Sequence, residues 1–179
     1  MRRALAVCLV LAVLAALGGR ARRDDDPAAG GPADAERVAR EWSIRLNADD
    51  HDGVAQLFAL PSTASQGGST TVFVRRGEVR EWFAGLPCSG TIVAVEPRLA
   101  APAPDGSAVP GAAGVLAVFE LGDRPGSTCD APGELAAAEF DVAGGLVVAW
   151  RQVGVPPEYR DATTAKQRRG SHTSVTSRV

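Results

Sequence analysis

The stretch REWSIRLNADDHDGVAQLFA, residues 40–59, contains two apolar patterns at helical spacing with a polar turn between them. The first pattern predicts a helix over residues 36–47, and the second predicts a short helix over residues 49–59. The turn, DDHD at residues 49–52, offers carboxylates and an imidazole, which are metal-ligand types. Because adjacent residues in a turn point in different directions, we interpret it as a solvated helix junction and predict no metal site.

The residues that follow predict one more helix and then a sheet. Residues 69–76 predict a strand, and residues 77–86 predict a third helix. Alternating and β-branched apolar runs then predict four strands, at residues 91–99, 114–121, 134–142 and 146–153. Helices followed by a run of antiparallel strands indicate an α+β domain, with three N-terminal helices packed on a curved antiparallel sheet.

The two ends of the chain differ in composition from this domain. Residues 1–18 begin with two Arg and continue as an apolar run, which predicts a cleaved signal peptide, with a retained membrane anchor as the alternative. Residues 19–33 are predicted to be a disordered linker, residues 34–155 the domain, and residues 156–179 a disordered tail. The domain is therefore expected to be secreted or extracytoplasmic, or membrane-anchored if the apolar run is retained.

Charge and motif content argue against several function classes. Residues 34–155 hold nine Arg against sixteen acidic residues, so they lack the basic face on which nucleic-acid binding depends. There is neither a glycine-rich dinucleotide loop after a predicted strand nor a phosphate-binding P-loop. We therefore predict no nucleic-acid partner and no cofactor.

The chain contains three cysteines, and Cys8 lies in the predicted signal peptide. The remaining pair, Cys88 and Cys129, favours a disulfide in an exported domain. Two buried free thiols are the alternative. A zinc site would lack ligands at suitable spacing, and a catalytic cysteine would lack a well-placed histidine.

The order of these elements resembles the SnoaL-like branch of the nuclear transport factor 2-like superfamily. The likeness rests on residues 40–59, on GEVREWFAGLPC at residues 77–88, and on GLVVAWRQV at residues 145–153. It spans residues 34–155, and LNADDHDGVAQLF is its most specific part. The resemblance implies a cone-shaped domain with a pocket at its mouth and, in many members, a homodimer formed through the sheet.

The superfamily includes ketosteroid isomerases and polyketide cyclases beside non-enzymatic binding domains, so the resemblance alone does not decide function. The tyrosine of the isomerase corresponds to Trp42, its general base to Gln66, and its second acid to a residue among Ala136–Ala138. None of these residues titrates, so the three isomerase roles are predicted to be vacant, which favours a non-enzyme and leaves an enzyme as the alternative.

In place of catalysis the sequence predicts a cone that binds a small apolar ligand or a partner protein. The alternative is an enzyme acting on a polyketide-like or terpenoid substrate. Glu120 and Glu139 alternate with Phe119 and Phe140 on their strands, so these acids should face outward if the aromatic rings face the core. The predicted pocket residues are Trp42, Phe58, Gln66, Phe119, Phe140 and Trp150.

Overall fold

The computed structural model describes residues 30–102 and 108–160. Its helices are α1 (Pro32–Asn47), α2 (His51–Gln56) and α3 (Arg76–Ala84). Its strands are β1 (Phe58–Gln66), β2 (Ser69–Phe73), β3 (Ser89–Arg98), β4 (Ala113–Gly122), β5 (Leu135–Ala143) and β6 (Leu146–Val153). They form one sheet in the order β2-β1-β6-β5-β4-β3. The predicted α+β class, with three helices on one sheet, is confirmed.

The predicted signal peptide and most of the linker and tail lie outside the described residues. So does part of the predicted loop at residues 100–114, whose residues 103–107 are not described. Among the helices that are described, none is long and apolar enough to cross a membrane.

The first half of the sheet differs from the sequence prediction. Strand β1 was not predicted, because LPSTASQ is rich in small polar residues and contains Pro61, which removes a ladder donor. The strand forms because it pairs on both sides, antiparallel with β2 and parallel with β6, and Pro61 lies where the register of the β1–β6 pair shifts. The sheet is therefore mixed rather than wholly antiparallel. Helix α2 is correspondingly shorter than predicted, since Phe58 already belongs to β1.

Helix α1 packs its apolar stripe on the inner face of the sheet. The buried residues of this stripe include Val38, Trp42 and Leu46, at the helical spacing expected from the sequence. Trp42 lies at the centre of the core, with its ring centroid 5.3 Å from that of Phe140 and 5.6 Å from that of Phe119. Contacts of this edge-to-face type stabilise aromatic clusters beyond the area they bury.

The outer face of the sheet carries the acidic residues, as alternation predicted. Phe119 and Phe140 are buried in the core, while Glu120 is exposed. Asp141 is 2% exposed but is paired, since Arg151 Nη1 donates to its Oδ2 at 2.7 Å. Burial would lower the pKa of Arg151, but its hydrogen bonds and ion pairs with Asp141 and Glu139 outweigh this and raise the pKa.

The same outer face is partly covered by the end of the described chain. Residues 157–160 form one helical turn, and Tyr159 packs with Val155 against an apolar cluster that includes Leu116 and Val118. The hydroxyl of Tyr159 donates to Glu96 Oε1 at 2.5 Å. The sequence predicted a disordered tail from Pro156 onward, whereas residues 157–160 form this turn with Tyr159 packed on the sheet; residues 161–179 lie outside the described residues.

Candidate ligand-binding cavity

A cavity of about 320 Å³ lies between α1 and the inner face of the sheet. Its floor and walls are mostly apolar, with amide and carboxylate groups among them. This volume is at the lower end of the range for small-molecule sites. The lining residues are Trp42, Leu46, Gln66, Leu86, Pro87, Cys88, Ser89, Gly90, Phe119, Leu121, Asp130, Ala136, Ala137, Ala138, Trp150 and Gln152.

The three aromatic residues of the described lining come from different elements. Trp42 comes from α1, Phe119 from β4 and Trp150 from β6. The ring centroids of Trp42 and Trp150 are 6.1 Å apart, and both side chains are at most 4% exposed. The packing of their other faces therefore holds these rings in place before any ligand is present.

On one side of the cavity, polar residues of α1 form hydrogen bonds with the backbone of strand β3. Asn47 Oδ1 accepts from the N–H of Gly90 at 2.8 Å, and Ser43 Oγ donates to the carbonyl oxygen of Gly90 at 2.5 Å. A Cβ atom at Gly90 would lie 3.1 Å from Phe119 Cδ1, which is tight enough to displace that ring. Glycine at this position therefore preserves both the close approach of β3 and the space of the cavity.

The predicted disulfide between Cys88 and Cys129 is present, with an S–S distance of 2.04 Å. It ties the segment after α3 to the loop between β4 and β5. Cys88 and the neighbouring Asp130 both line the cavity, and Asp130 Oδ1 lies 3.7 Å from Cys88 Sγ. These groups also lie close enough to hold a metal ion, but both sulfur atoms are committed to the disulfide and supply no thiolate ligand.

The positions that the sequence resemblance assigns to the three isomerase roles meet in this cavity. Trp42, Gln66 and Ala136–Ala138 all line it, so the residues aligned on sequence spacing are neighbours in space. Across the described lining, Asp130 is the only titratable side chain, and it is exposed. A proton-transfer reaction needs a base held against the substrate, and none of the isomerase positions supplies one.

The structure brings four of the six predicted pocket residues to the cavity. Trp42, Gln66, Phe119 and Trp150 line it, whereas Phe58 and Phe140 do not. Both of those rings are fully buried in the core. Phe140 packs beneath Trp42, at 5.3 Å between centroids, and Phe58 lies 4.9 Å from Phe83. Phe140 therefore packs against a lining residue, Trp42, whereas Phe58 belongs to the core around Phe83.

Three polar lining residues, Ser89, Asp130 and Gln152, were not predicted from the sequence. Gln152 lies two positions after Trp150 on β6 and therefore on the same face, so strand alternation could have identified it. Asp130 follows Cys129, and the predicted disulfide already placed that loop beside Cys88. Because the position of the β4–β5 loop relative to the cone depends on tertiary packing, no local pattern identifies Asp130 as a lining residue.

The DDHD turn, residues 49–52, has a structural role at the start of α2. Asp50 caps α2 by accepting from the N–H of Gly53 at 2.8 Å, and a Cβ at Gly53 would collide with that carboxylate. Asp52 is exposed, while Asp49 Oδ1 lies 3.3 Å from His51 Nε2. The carboxylates thus diverge, as the interpretation of a helix junction requires.

A buried arginine links this turn to the end of α3. Arg124 Nη2 donates to the carbonyl oxygen of Ala84 at 2.6 Å, and Nη1 lies 3.2 Å from His51 Nε2. The loop at residues 122–133, GDRPGSTCDAPG, is therefore attached to the rest of the domain at two points. These are the hydrogen bond from Arg124 to the end of α3 and the disulfide of Cys129.

Comparison with known proteins bears on the fold. No family model matches the sequence, and no curated protein matches it. The orange carotenoid protein of Anabaena (Nostoc), in a structure binding canthaxanthin, is similar with a TM-score of 0.50 and 16% identity, over 68% of this chain and 36% of that chain.

Two further solved structures have lower scores. One is an NTF2-like protein of unknown function from Cytophaga hutchinsonii, with a TM-score of 0.44 and 8% identity over 70% of this chain and 94% of that chain. The other is a protein of ketosteroid isomerase-like fold from Catenulispora acidiphila, in complex with trimethylamine, with a TM-score of 0.44 and 11% identity over 65% of this chain and 84% of that chain. With its helices packed on one face of a six-stranded sheet, the chain is similar in fold to the region of the orange carotenoid protein that it matches.

Proposed function

We propose that this chain is an exported, non-catalytic domain that binds a small apolar ligand in the cavity of its cone. The observation that carries the proposal is the composition of the lining. Indole and phenyl rings, leucines and three consecutive alanines enclose the space, and the isomerase positions hold Trp42, Gln66 and Ala136–Ala138. A preformed apolar cavity with a few polar groups is the usual form of a small-molecule site.

The absence of a buried titratable group from the described lining argues against proton-transfer chemistry. Gln66 can donate or accept a hydrogen bond but cannot carry a proton between two carbon atoms. The amides of Gln66 and Gln152 are therefore suited to orienting a ligand. Their side chains line the same cavity as the aromatic rings, which allows an apolar body and a polar group to be bound together.

Export is supported by two independent features. The disulfide between Cys88 and Cys129 is typical of oxidising compartments. The apolar run behind Arg2 and Arg3 has the length of a signal peptide. Intact-mass analysis of the secreted protein should give a chain that begins near Gly19, and full-length protein found only in the cytosol would contradict export.

The binding proposal is tested by titrating the oxidised protein with small apolar probes while following tryptophan fluorescence and calorimetric heat. Ala136→Leu should abolish binding, because the larger side chain fills the cavity. Ala143→Leu is the matched control, since Ala143 lies at the other end of β5 and does not line the cavity. Equal binding by both variants, or no binding by the unmodified protein, would contradict the proposal.

The enzymatic alternative, with a polyketide-like or terpenoid substrate, depends on Asp130. This carboxylate is the only general base that the described lining offers. If the chain is an enzyme, Asp130→Asn should abolish turnover while leaving binding of apolar probes in place. An unmodified protein that binds the apolar probes but turns over none of these substrates favours the binding domain.

A further inference from the structure

Three side chains of metal-ligand type meet at the disulfide. The sulfur atoms of Cys88 and Cys129 and a carboxylate oxygen of Asp130 all lie within 4.8 Å of one another. Asp130 Oδ1 is 3.7 Å from Cys88 Sγ. In a tetrahedral zinc site, with Zn–S of about 2.3 Å and Zn–O of about 2.0 Å, a sulfur and an oxygen ligand are about 3.5 Å apart. The carboxylate therefore already lies near ligand spacing from one of the sulfur atoms.

The bond between the two sulfur atoms prevents coordination in the oxidised protein, and a dithiol reductant can remove it. Its thiolate attacks one sulfur atom and forms a mixed disulfide, which its second thiol resolves. Cys88 is half-buried and lines the cavity, whereas Cys129 is 4% exposed, so Cys88 is the more accessible of the two. The exchange transfers two electrons and two protons to the protein, which gains two thiols while the dithiol becomes a disulfide.

Hydrogen bonds that do not involve the sulfur atoms also hold the two cysteines near each other. Ser127 Oγ donates to the carbonyl oxygen of Pro87, the residue before Cys88, at 2.8 Å. The backbone N–H of Cys129 donates to Asp123 Oδ1 at 2.8 Å. The first contact joins the β4–β5 loop to the segment after α3, and the second fixes the backbone of that loop at the cysteine. These contacts do not depend on the disulfide, so they favour two thiols that stay close after reduction.

The charge and chemistry of the cluster suit a divalent zinc ion. Asp130 is the only charged side chain in the described lining of the cavity, so no cationic side chain of that lining neutralises it. A bound metal deprotonates its thiol ligands, which adds two negative charges beside this carboxylate. Sulfur ligands select zinc over magnesium and calcium, which take oxygen ligands.

We propose that the reduced protein binds one Zn²⁺ ion through the sulfur atoms of Cys88 and Cys129 and the carboxylate of Asp130. Binding releases the two thiol protons and leaves one position of the tetrahedron for a solvent molecule. The metal site and the disulfide exclude each other, because both use the same sulfur atoms. Zinc is therefore bound where the chain meets reducing conditions and is released when the disulfide forms. This site goes beyond the proposed binding of an apolar ligand and does not depend on it.

The test uses the full chain with Cys8→Ser, so that Cys88 and Cys129 are its only cysteines. The protein is reduced with a phosphine, freed of the reductant under argon, and titrated first with Co²⁺ and then with Zn²⁺. We expect one Co²⁺ ion per chain, with the near-ultraviolet charge-transfer band of a cobalt–thiolate bond, and displacement of this ion by Zn²⁺. The oxidised protein should show no such band.

Two further variants test the carboxylate ligand. Asp130→Asn should weaken Zn²⁺ binding by at least about 10-fold, because it removes one of three protein ligands. Glu134→Gln is the matched control, since Glu134 is an exposed acid of the same loop that does not belong to the cluster. Equal Zn²⁺ affinities of the two variants, or a reduced protein without the charge-transfer band, would overturn the inference.

Far-ultraviolet circular dichroism reports whether the reduced protein is folded. If it unfolds without metal, Zn²⁺ should restore the spectrum of the oxidised protein, because metal binding and folding are coupled when the ligands meet only in the fold. A reduced chain that stays unfolded in Zn²⁺ would contradict the inference. The binding of apolar probes is measured on the oxidised protein, so failure of the metal site leaves the proposed function standing.

Discussion

The side-chain amide of Asn47 makes two hydrogen bonds with the backbone of Gly90. Its Oδ1 accepts from the N–H of Gly90 at 2.8 Å, and its Nδ2 donates to the carbonyl oxygen of Gly90 at 3.2 Å. Asn47 is the last residue of α1, and Gly90 is the second residue of β3. The end of the first helix is thereby fixed to the edge of the cavity.

Replacing Asn47 by Ala should destabilise the domain by about 1–3 kcal/mol, because the backbone N–H of Gly90 loses its acceptor in a buried position. Urea unfolding of the oxidised protein measures the loss. The control is Arg40→Ala on the same helix, which breaks only an exposed ion pair with Glu36 and should change the stability by less than about 0.5 kcal/mol. Equal effects of the two changes would show that the amide contributes nothing specific.

The disulfide should account for a large part of the stability of the domain. It joins Cys88 and Cys129, which are 41 positions apart in the sequence, and for a loop of this length the chain-entropy model gives about 4 kcal/mol. We expect the free energy of unfolding of the Cys88→Ala, Cys129→Ala double variant to be lower by this amount. Its unfolding midpoint in urea should not change when reductant is added. An unmodified protein whose unfolding midpoint is unchanged by reductant would contradict the prediction.

Replacing Arg124 by Met should lower the free energy of unfolding by about 1.5–3 kcal/mol, which is the range for hydrogen bonds to a charged group. The change keeps the aliphatic length but removes the donors to the carbonyl oxygens of Phe83 and Ala84 at the end of α3. Thermal and urea unfolding report the loss. Arg80→Met is the control, since Arg80 approaches Asp52 at 3.8 Å on the surface and its loss should be nearly neutral.

Tyr159 is the only tyrosine of the chain, so near-ultraviolet absorbance follows its ionisation alone. Its hydrogen bond to Glu96 and the negative charge of that carboxylate raise the pKa of the phenol above its usual value. The folded pKa lies above the unfolded one, so this contact stabilises the fold below the ordinary phenol pKa and is lost as pH rises through the folded value.

The titration of Tyr159 should therefore return to an ordinary pKa in denaturant and should shift down in the Glu96→Gln variant. The same variant should keep the fold, because Glu96 is partly exposed and its hydrogen bond is with the turn at residues 157–160. A phenol that titrates identically in the folded and unfolded protein would show that the turn does not dock in solution.

No turnover of a β,γ-unsaturated ketosteroid above buffer background is expected. A general base and an oxyanion donor are each typically worth about 10²-fold or more. The sequence resemblance assigns the base position to Gln66 and the position of the second acid to a residue among Ala136–Ala138, and all of these residues line the cavity. Measurable isomerisation would mean that another carboxylate, with Asp130 the first to test, reaches the substrate.

The sequence predicted the elements whose signals are local. Helix α1 and strands β3 to β6 follow from apolar periodicity, and the disulfide follows from an even cysteine pair. Strand β1 could not be predicted this way. Its residues have weak strand propensity, and it forms because β2 and β6 provide partners that are distant in the chain.

The residues of the cavity likewise divide into those that a local pattern predicts and those that depend on tertiary packing. Trp42 and Trp150 were predicted as pocket residues because aromatic residues on inward faces are visible in the pattern. The pattern could not separate Phe140, which lies beneath the cavity, from Phe119, which lines it, since both face inward. That distinction depends on the packing of α1 against each strand, which alternation does not encode.

The parallel pairing of β1 with β6 also constrains how the chain folds. Ala64 pairs with Trp150, 86 positions later in the sequence, and contacts between such distant positions slow folding because a long loop must close first. The sheet cannot be completed until nearly the whole domain has been synthesised. A chain emerging from the ribosome therefore stays incompletely folded until β6 arrives, so removal of β6 should leave β1 and β2 unable to fold as a separate unit.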